Sequence, residues 1–127
     1  MKKIIHTENA PAAIGPYSQA VEANGMLYIS GQIPLVPETG EMVAGDIAEQ
    51  TDRVLKNIGA ILKASGYDYS DVIKTTCLLK DMKYFSGMNE VYGRYFVSAQ
   101  PARAAFAVAG LPKDSLVEIE VIACKSK

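Results

Sequence analysis

The sequence has little histidine and little cysteine, the residues on which most metal, redox and triad sites depend. His6 is the one histidine and lies near the start of the chain. A single imidazole there excludes a histidine-rich metal site and disfavours a Ser-His-Asp triad, which needs a base held in a structured cleft. Cys77 and Cys124 lie far apart and form no C-x-x-C pattern. We therefore expect neither a disulfide framework nor a zinc site, and we assign both thiols to apolar packing.

An excess of one charge is also missing, because 13 Lys and Arg stand against 14 Asp and Glu, for a formal charge of -1. Without a Lys- and Arg-rich run, nucleic acid is not an expected partner. Long apolar runs are absent as well, and the one after Lys2 and Lys3 is too short for a signal peptide or a membrane span. The chain is thus expected to be cytoplasmic, with no membrane partner.

Phosphate-binding glycine loops and the G-x-S-x-G elbow do not occur in the chain. What is present is ordinary globular composition, with 49% hydrophobic and 21% charged residues and glycine and proline placed singly between periodic segments. No repeat or linker divides the chain. We therefore expect residues 1–127 to form one domain.

The chain opens with short segments rich in β-favouring residues. Lys3 to His6, Gln19 to Ala23 and Met26 to Ser30 are predicted strands, and Asn24-Gly25 between the last two predicts a tight hairpin turn. Near the other end, Ala104 to Ala109 and Leu116 to Cys124 are predicted strands.

Two helices are predicted between these groups of strands. From Asp46 to Ala64, apolar residues recur at spacings of three and four, with Asp46 and Glu49 as a capping box and Gly66 as the stop. A second helix from Met82 to about Val97 has an apolar stripe made of Met82, Phe85, Met88, Tyr92 and Phe96. Asp71 to Leu79, between them, is so continuously apolar and β-branched that it predicts a strand covered on both faces.

These elements predict an α+β fold, in which a mixed sheet of about six strands is covered by two helices. Two helices cover one face of such a sheet. In a chain this small, the other face must find apolar cover from a second subunit. The pattern therefore predicts a homo-oligomer.

Arg103 stands alone at the start of the apolar strand from Ala104. A guanidinium is always charged and offers a planar fork of donors that matches a carboxylate. Near an apolar wall it either pairs within the protein or awaits an anionic ligand, and both interpretations are open.

Alternation along the last strand places Glu118 and Glu120 on one largely apolar face, opposite Val117, Ile119, Val121 and Ala123. Carboxylates in such surroundings are paired, solvated or raised in pKa, and a raised one can act as a general acid or base. The alternative is that Glu118 forms a structural ion pair with Arg103.

Three weaker candidates complete the set. Asn89 borders the stripe of the second helix, one turn from Phe85, where a satisfied structural amide is the simpler explanation. Tyr17 after Gly15-Pro16, and the pair Ser30-Gly31 at a strand end, could present a hydroxyl and a backbone N–H in a cleft.

Three separated motifs together resemble the Rid family, also called YjgF-like, over essentially the whole chain. They are Ala10-Pro11-Ala12-Ala13-Ile14-Gly15-Pro16-Tyr17-Ser18-Gln19, Ser30-Gly31-Gln32-Ile33-Pro34, and Pro101-Ala102-Arg103 running to Glu118-Ile119-Glu120. The resemblance is greatest to the archetypal deaminase subgroup. It implies a chorismate-mutase-like fold, a homotrimer with a central barrel, and active sites between subunits. It also implies cofactor-free, metal-free hydrolysis of 2-iminopropanoate and 2-iminobutanoate to keto acid and ammonia.

The resemblance also implies roles for individual residues. Arg103 would bind the substrate carboxylate, Glu118 would hold and activate water, and the pocket would be lined by Tyr17, Ser30, Gly31, Asn89 and Ala105. Many relatives carry cysteine where this chain has Ala105. A thiol nucleophile is thus excluded here, whereas a contact through the backbone would persist.

Two other functions stay open at this point. Some relatives have been proposed as endoribonucleases or translation inhibitors, which the missing basic tract disfavours. A non-enzymatic trimer that binds small metabolites or acts as a chaperone is the third possibility.

Overall fold

The computed structural model describes residues 1–125 as one mixed sheet with two helices on one face. The strands are β1 (Lys3–Ile5), β2 (Ala20–Ala23), β3 (Met26–Gln32), β4 (Val72–Leu79), β5 (Ala102–Ala107) and β6 (Val117–Cys124). The helices are α1 (Ile47–Ala64) and α2 (Phe85–Tyr95). This confirms the predicted α+β class and the mixed six-stranded sheet. No helix within residues 1–125 is long and apolar enough to cross a membrane.

The strand order is β1-β2-β3-β6-β4-β5. β4 and β5 are parallel, whereas every other neighbouring pair is antiparallel. The last strand of the chain therefore lies between β3 and β4, and β5 forms one edge of the sheet. This order places residues from the two ends of the sequence next to each other.

Local signals set the predicted turns and helix ends. Asn24 and Gly25 have φ of 53° and 77°, the left-handed pair that a two-residue hairpin requires. Asp46 caps α1 through the amide of Ala48, and Glu49 reaches back to the Asp46 amide. Gly66 follows the helix with φ of 82°, as the prediction of a glycine stop required.

The core lies between the helices and one sheet face. It contains Val54, Leu55, Ile58 and Ile61 of α1, which pack over alternate residues of the central strands such as Leu27, Leu79 and Ile119. Cys77 is fully buried in this core, and burial raises the pKa of its thiol to about 11. Its assignment to apolar packing is confirmed.

One local prediction was wrong. Met82 is 48% exposed, because Asp81 caps a 3-10 turn over Met82–Tyr84 and the α-helix begins at Phe85. β4 is covered on one face within a single protomer, since Ile73 and Lys74 are exposed while Thr75, Cys77 and Leu79 are buried. The second face of the sheet is open and exposes Tyr28 and Phe106.

Candidate functional site

Arg103 is held on the face of the sheet that the helices cover. It lies in β5 in register with Thr75 of β4, and directly paired residues project to the same face. Thr75 is buried and its Oγ1 lies 2.8 Å from the hydroxyl of Tyr92 in α2. The register therefore brings the guanidinium beside α2.

The guanidinium contacts three side chains of α2. Arg103 Nη1 donates to Asn89 Oδ1 at 2.6 Å, and Arg103 Cζ lies 4.8 Å from the ring centre of Tyr92 and 5.5 Å from that of Phe85. We call these four residues the Arg103 cluster: Phe85, Asn89, Tyr92 and Arg103. Within residues 1–125 no carboxylate lies at ion-pairing distance from Arg103, and its side chain is exposed. The cluster is an oriented cation with unused donors.

Ala105 follows on the same face of β5. Its half-buried side chain packs against the core, and it is in register with Cys77. The amide of Val108 donates to Leu79 of β4, and alternate residues of a parallel strand direct their backbone groups to the same side. The N–H and C=O groups of Arg103 and Ala105 consequently point away from β4, to the edge of the sheet.

Glu118 lies on the opposite, open face of the sheet. It is in register with Leu78, one residue out of phase with the buried pair of Cys77 and Ile119. A bulge in β3 between Ile29 and Gln32 brings Gly31 against the Glu118 carboxylate. A Cβ atom on Gly31 would overlap Glu118 Oε2, so this close approach requires glycine.

Glu118 lines a cleft of about 490 Å³ that we call the Glu118 cleft. Its lining residues are Tyr17, Ser30, Gly31, Ile33, Pro112, Glu118 and Glu120. A largely apolar cavity of about 320 Å³ adjoins it and shares four of these residues, Tyr17, Gly31, Ile33 and Pro112. Tyr17 is 54% exposed. Ser30 Oγ donates to the carbonyl of Ser18 at 2.6 Å, which fixes the segment leading out of the Tyr17 loop.

The surroundings of the cleft raise the pKa of Glu118. Burial raises the pKa of this carboxyl above its ordinary value of 4.5, and the negative charge of Glu120 raises it further. A carboxyl with a raised pKa can exchange protons with water or substrate nearer to neutral pH. Glu118 is therefore suited to proton transfer.

The structure brings the predicted site residues together as two groups. Arg103 and Asn89 meet at the β5 edge of the sheet, on the face that the helices cover. Tyr17, Ser30, Gly31 and Glu118 line the cleft on the other face. The alternative in which Glu118 forms an ion pair with Arg103 was wrong for a single protomer, because the two side chains project from opposite faces. Glu120, to which the resemblance assigned no role, also lines the cleft.

Sequence reasoning missed several site residues. Phe85 and Tyr92 were assigned to the core stripe of α2, although their rings also support the guanidinium. A signal was available, because Asn89 and Tyr92 lie three residues apart and so share a helix face. Ile33 and Pro112 are apolar wall residues of the cleft to which the motifs assigned no role. Within residues 1–125 no group of three metal-ligating side chains converges.

Comparisons with known proteins agree over nearly the whole chain. A family model described as Endoribonuclease L-PSP matches residues 7–125. A RutC family protein of Pyrococcus horikoshii is 60% identical over 98% of this chain and 99% of its own length. The 2-iminobutanoate/2-iminopropanoate deaminase of Mus musculus is 54% identical over 97% of this chain and 91% of its own. The crystal structure of E. coli TdcF with bound serine has a TM-score of 0.93 at 45% identity, covering 98% of this chain and 99% of that one.

Proposed function

This chain belongs to the endoribonuclease L-PSP family, the Rid or YjgF-like family that its motifs resemble, and we propose that it is a 2-imino acid deaminase. Its reaction is the hydrolysis of 2-iminobutanoate and 2-iminopropanoate, or their enamine forms, to 2-keto acid and ammonia. A mouse relative at 54% identity carries this activity in its name. The observation that carries the proposal is the oriented guanidinium of Arg103, which forms no ion pair with any carboxylate within residues 1–125.

Arg103 is the carboxylate anchor in this proposal. Asn89 occupies one N–H group of Arg103, and the two aromatic rings lie against the guanidinium. The remaining donors match the two oxygens of a substrate carboxylate. Outward-directed backbone groups of Ala105 lie beside this anchor and offer a further polar contact that does not depend on a side chain. TdcF, solved with bound serine, holds a ligand of the same size that also has a carboxylate.

Glu118 is the proton-transfer group. It takes a proton from a water molecule while the water oxygen forms a bond to the imine carbon and the C=N electron pair moves to nitrogen. Glu118 passes that proton to nitrogen, which gives the neutral carbinolamine. It then transfers the hydroxyl proton of the carbinolamine to nitrogen in the same way, so the C–N bond breaks, ammonia leaves, and an electron pair of the oxygen forms the C=O bond of the keto acid. Water is the sole co-reactant, so the proposal needs no cofactor.

A complete site on this scheme needs two protomers. The Arg103 cluster and the Glu118 cleft project from opposite faces of one sheet, and a substrate of four carbons cannot bridge them. We therefore propose a chorismate-mutase-like homotrimer with a central barrel, in which Arg103 of one protomer faces the Glu118 cleft of its neighbour. The open sheet face with Tyr28 and Phe106 supplies apolar surface for that contact. The cytoplasmic location expected from the sequence belongs to the same proposal.

The decisive experiment generates 2-iminobutanoate in place with threonine dehydratase and follows its disappearance. The natural protein should accelerate the loss, and Arg103→Ala, after its fold is confirmed, should abolish the acceleration. Arg94→Ala is the matched control, because Arg94 is an exposed arginine of α2 that pairs with Glu90. Arg94→Ala should retain full activity.

Other results would replace this proposal. Absence of acceleration by the natural protein would contradict deaminase activity, and ligand binding at Arg103 without turnover would instead support a binding module. The family model is described as an endoribonuclease, which makes RNA cleavage the rival activity. The two carboxylates that line the cleft disfavour it, because they would repel RNA phosphates. RNA cleavage that vanishes with Glu118→Gln would favour that activity.

A further inference from the structure

Three buried carboxamide side chains hold the loops that surround the Glu118 cleft and its adjoining apolar cavity. Gln19, Gln50 and Asn57 are 3%, 8% and 0% exposed. Buried amides are costly unless they are hydrogen-bonded. Each of these bonds to the backbone of a different loop, and all three loops contribute wall residues to the cleft or cavity.

Asn57 holds the segment after β3. Its Nδ2 donates to the carbonyls of Leu35 at 3.0 Å and Ile33 at 3.4 Å, and its Oδ1 accepts from Arg53 Nε at 3.1 Å. Ile33 lines the cleft, and Ile33 and Leu35 line the cavity. Asn57 itself lines neither the cleft nor the cavity. It can therefore affect the shape of their walls only through the backbone that it binds.

Gln19 holds the segment before the Tyr17 loop. Its Oε1 accepts from the amide of Thr7 at 2.7 Å, and its Nε2 donates to the carbonyls of Thr7 at 3.0 Å and Pro11 at 2.9 Å. Pro11 and Ala12 of this segment line the cavity. Gln19 itself also lines the cavity, with both polar atoms of its amide bonded to the loop.

Gln50 holds the segment that leads into β6. Its Oε1 accepts from the amide of Leu116 at 2.9 Å, and the carbonyl of Leu116 accepts from the amide of Lys80 at 3.0 Å. Just before, Lys113 and Asp114 have φ of 54° and 55°, which non-glycine residues rarely adopt. Such a backbone persists when its surroundings fix it, and this segment carries Pro112 and precedes Glu118.

We propose that Gln19, Gln50 and Asn57 are positioning residues, which set the shape of the cleft and its adjoining cavity by fixing three backbone segments. The kinetic consequence rests on the proposed deaminase function. The structural consequence does not, because a loop that has lost its amide should open locally whatever ligand the cleft takes.

Hydrogen exchange measured by mass spectrometry tests the structural part. Gln19→Ala should accelerate exchange around residues 7–12, Asn57→Ala around 33–36, and Gln50→Ala around 115–117. Tyr69→Phe is the matched control, because it removes a hydrogen bond of 2.7 Å to the carbonyl of Leu55 away from the cleft. It should leave all three segments unchanged. Uniform acceleration, or none, in the three alanine variants would overturn the proposal.

Steady-state kinetics test the catalytic part. Asn57→Ala and Gln50→Ala should lower kcat at least about ten-fold, with KM changed little because Arg103 still holds the carboxylate. Gln50→Glu keeps the acceptor for Leu116 and should recover most of the rate, even if Asn57→Ala fails to fold. Equal losses in Gln50→Glu and Gln50→Ala, or in Tyr69→Phe, would contradict positioning. If the natural protein shows no turnover, the deaminase proposal is rejected. The positioning roles of Gln19, Gln50 and Asn57 would still be decided by the hydrogen-exchange pattern.

Discussion

The side chain of Arg103 shows how one residue gains function from its neighbours. A lone exposed arginine samples many rotamers, and ordering it costs free energy on binding. Here Asn89 binds one end of the guanidinium, and Tyr92, itself bonded to Thr75, supports its face. In the proposed site, much of the ordering is therefore complete before a substrate carboxylate binds.

Asn89 should accordingly affect substrate binding more than the chemical step. Asn89→Ala is expected to raise KM about ten-fold, as loss of one charge-assisted hydrogen bond allows. Asn89→Asp should raise KM further, because its carboxylate would compete with the substrate for the guanidinium. KM and the inhibition constant of 2-oxobutanoate measure this effect, with exposed Ser86→Ala as control. An unchanged KM in both Asn89 variants would contradict the anchor role.

Gly31 is predicted to be required for activity but not for stability. A methyl group there would overlap the Glu118 carboxylate, and the mobile end of that side chain can move aside at small cost to the fold. Gly31→Ala should therefore lower kcat by about 100-fold while the free energy of unfolding changes by less than about 1 kcal/mol. Gly110→Ala, where added Cβ meets no atom within 4 Å, is the control. A normal kcat in Gly31→Ala would contradict a catalytic role for Glu118.

The pH dependence should report the environment of Glu118. Burial and then Glu120 raise its pKa, so the carboxylate needed as base forms above pH 4.5, and kcat/KM should fall on the acid side. Glu120→Gln removes the neighbouring negative charge and should shift this acid limb to lower pH. Because the folded state favours the protonated form, this group's contribution to stability falls as pH rises from about 4.5 through the raised pKa. An unmoved acid limb in Glu120→Gln would exclude Glu118 as the titrating group.

At the scale of elements, the sequence correctly predicted the features that depend on residues close together in the chain. The capping box of α1, the Asn24-Gly25 turn and the alternation of β6 depend on contacts within a few residues, and all are confirmed. The start of α2 was placed too early, because Met82 fits the apolar stripe while Asp81 caps a separate 3-10 turn. The apolar run of β4 predicted cover on both faces, which one protomer does not supply.

The end of α1 offers a test of element stability apart from activity. Gly66 has φ of 82°, a conformation that costs a residue with a side chain roughly 1 kcal/mol or more. Gly66→Ala should therefore lower the free energy of unfolding by about 1 kcal/mol, whereas Gly66→Asn should lose less. Urea denaturation measures the difference, and kcat should stay at its natural value. Equal stability of all three proteins would show that the left-handed stop contributes nothing.

At the scale of the whole molecule, motif resemblance identified the candidate residues, but their arrangement depended on the pairing of distant strands. Arg103 reaches α2 because β5 pairs with β4, and Glu118 faces the cleft because β6 lies between β3 and β4. Neither pairing is encoded in a local pattern. The buried amides were equally invisible, since Gln50 lies 66 residues from its partner Leu116.

Separation of the two half-sites leads to a prediction about assembly. In a trimer with sites between subunits, Arg103→Ala and Glu118→Gln damage opposite halves, so each protein alone should be inactive. After the two are unfolded together in equal amounts and refolded, random association makes about three quarters of the trimers mixed, and each mixed trimer restores one site of its three. Activity should therefore return to about a quarter of the natural value. If both half-sites acted within one protomer, no mixture could combine them and activity would stay at zero, which would contradict the shared site.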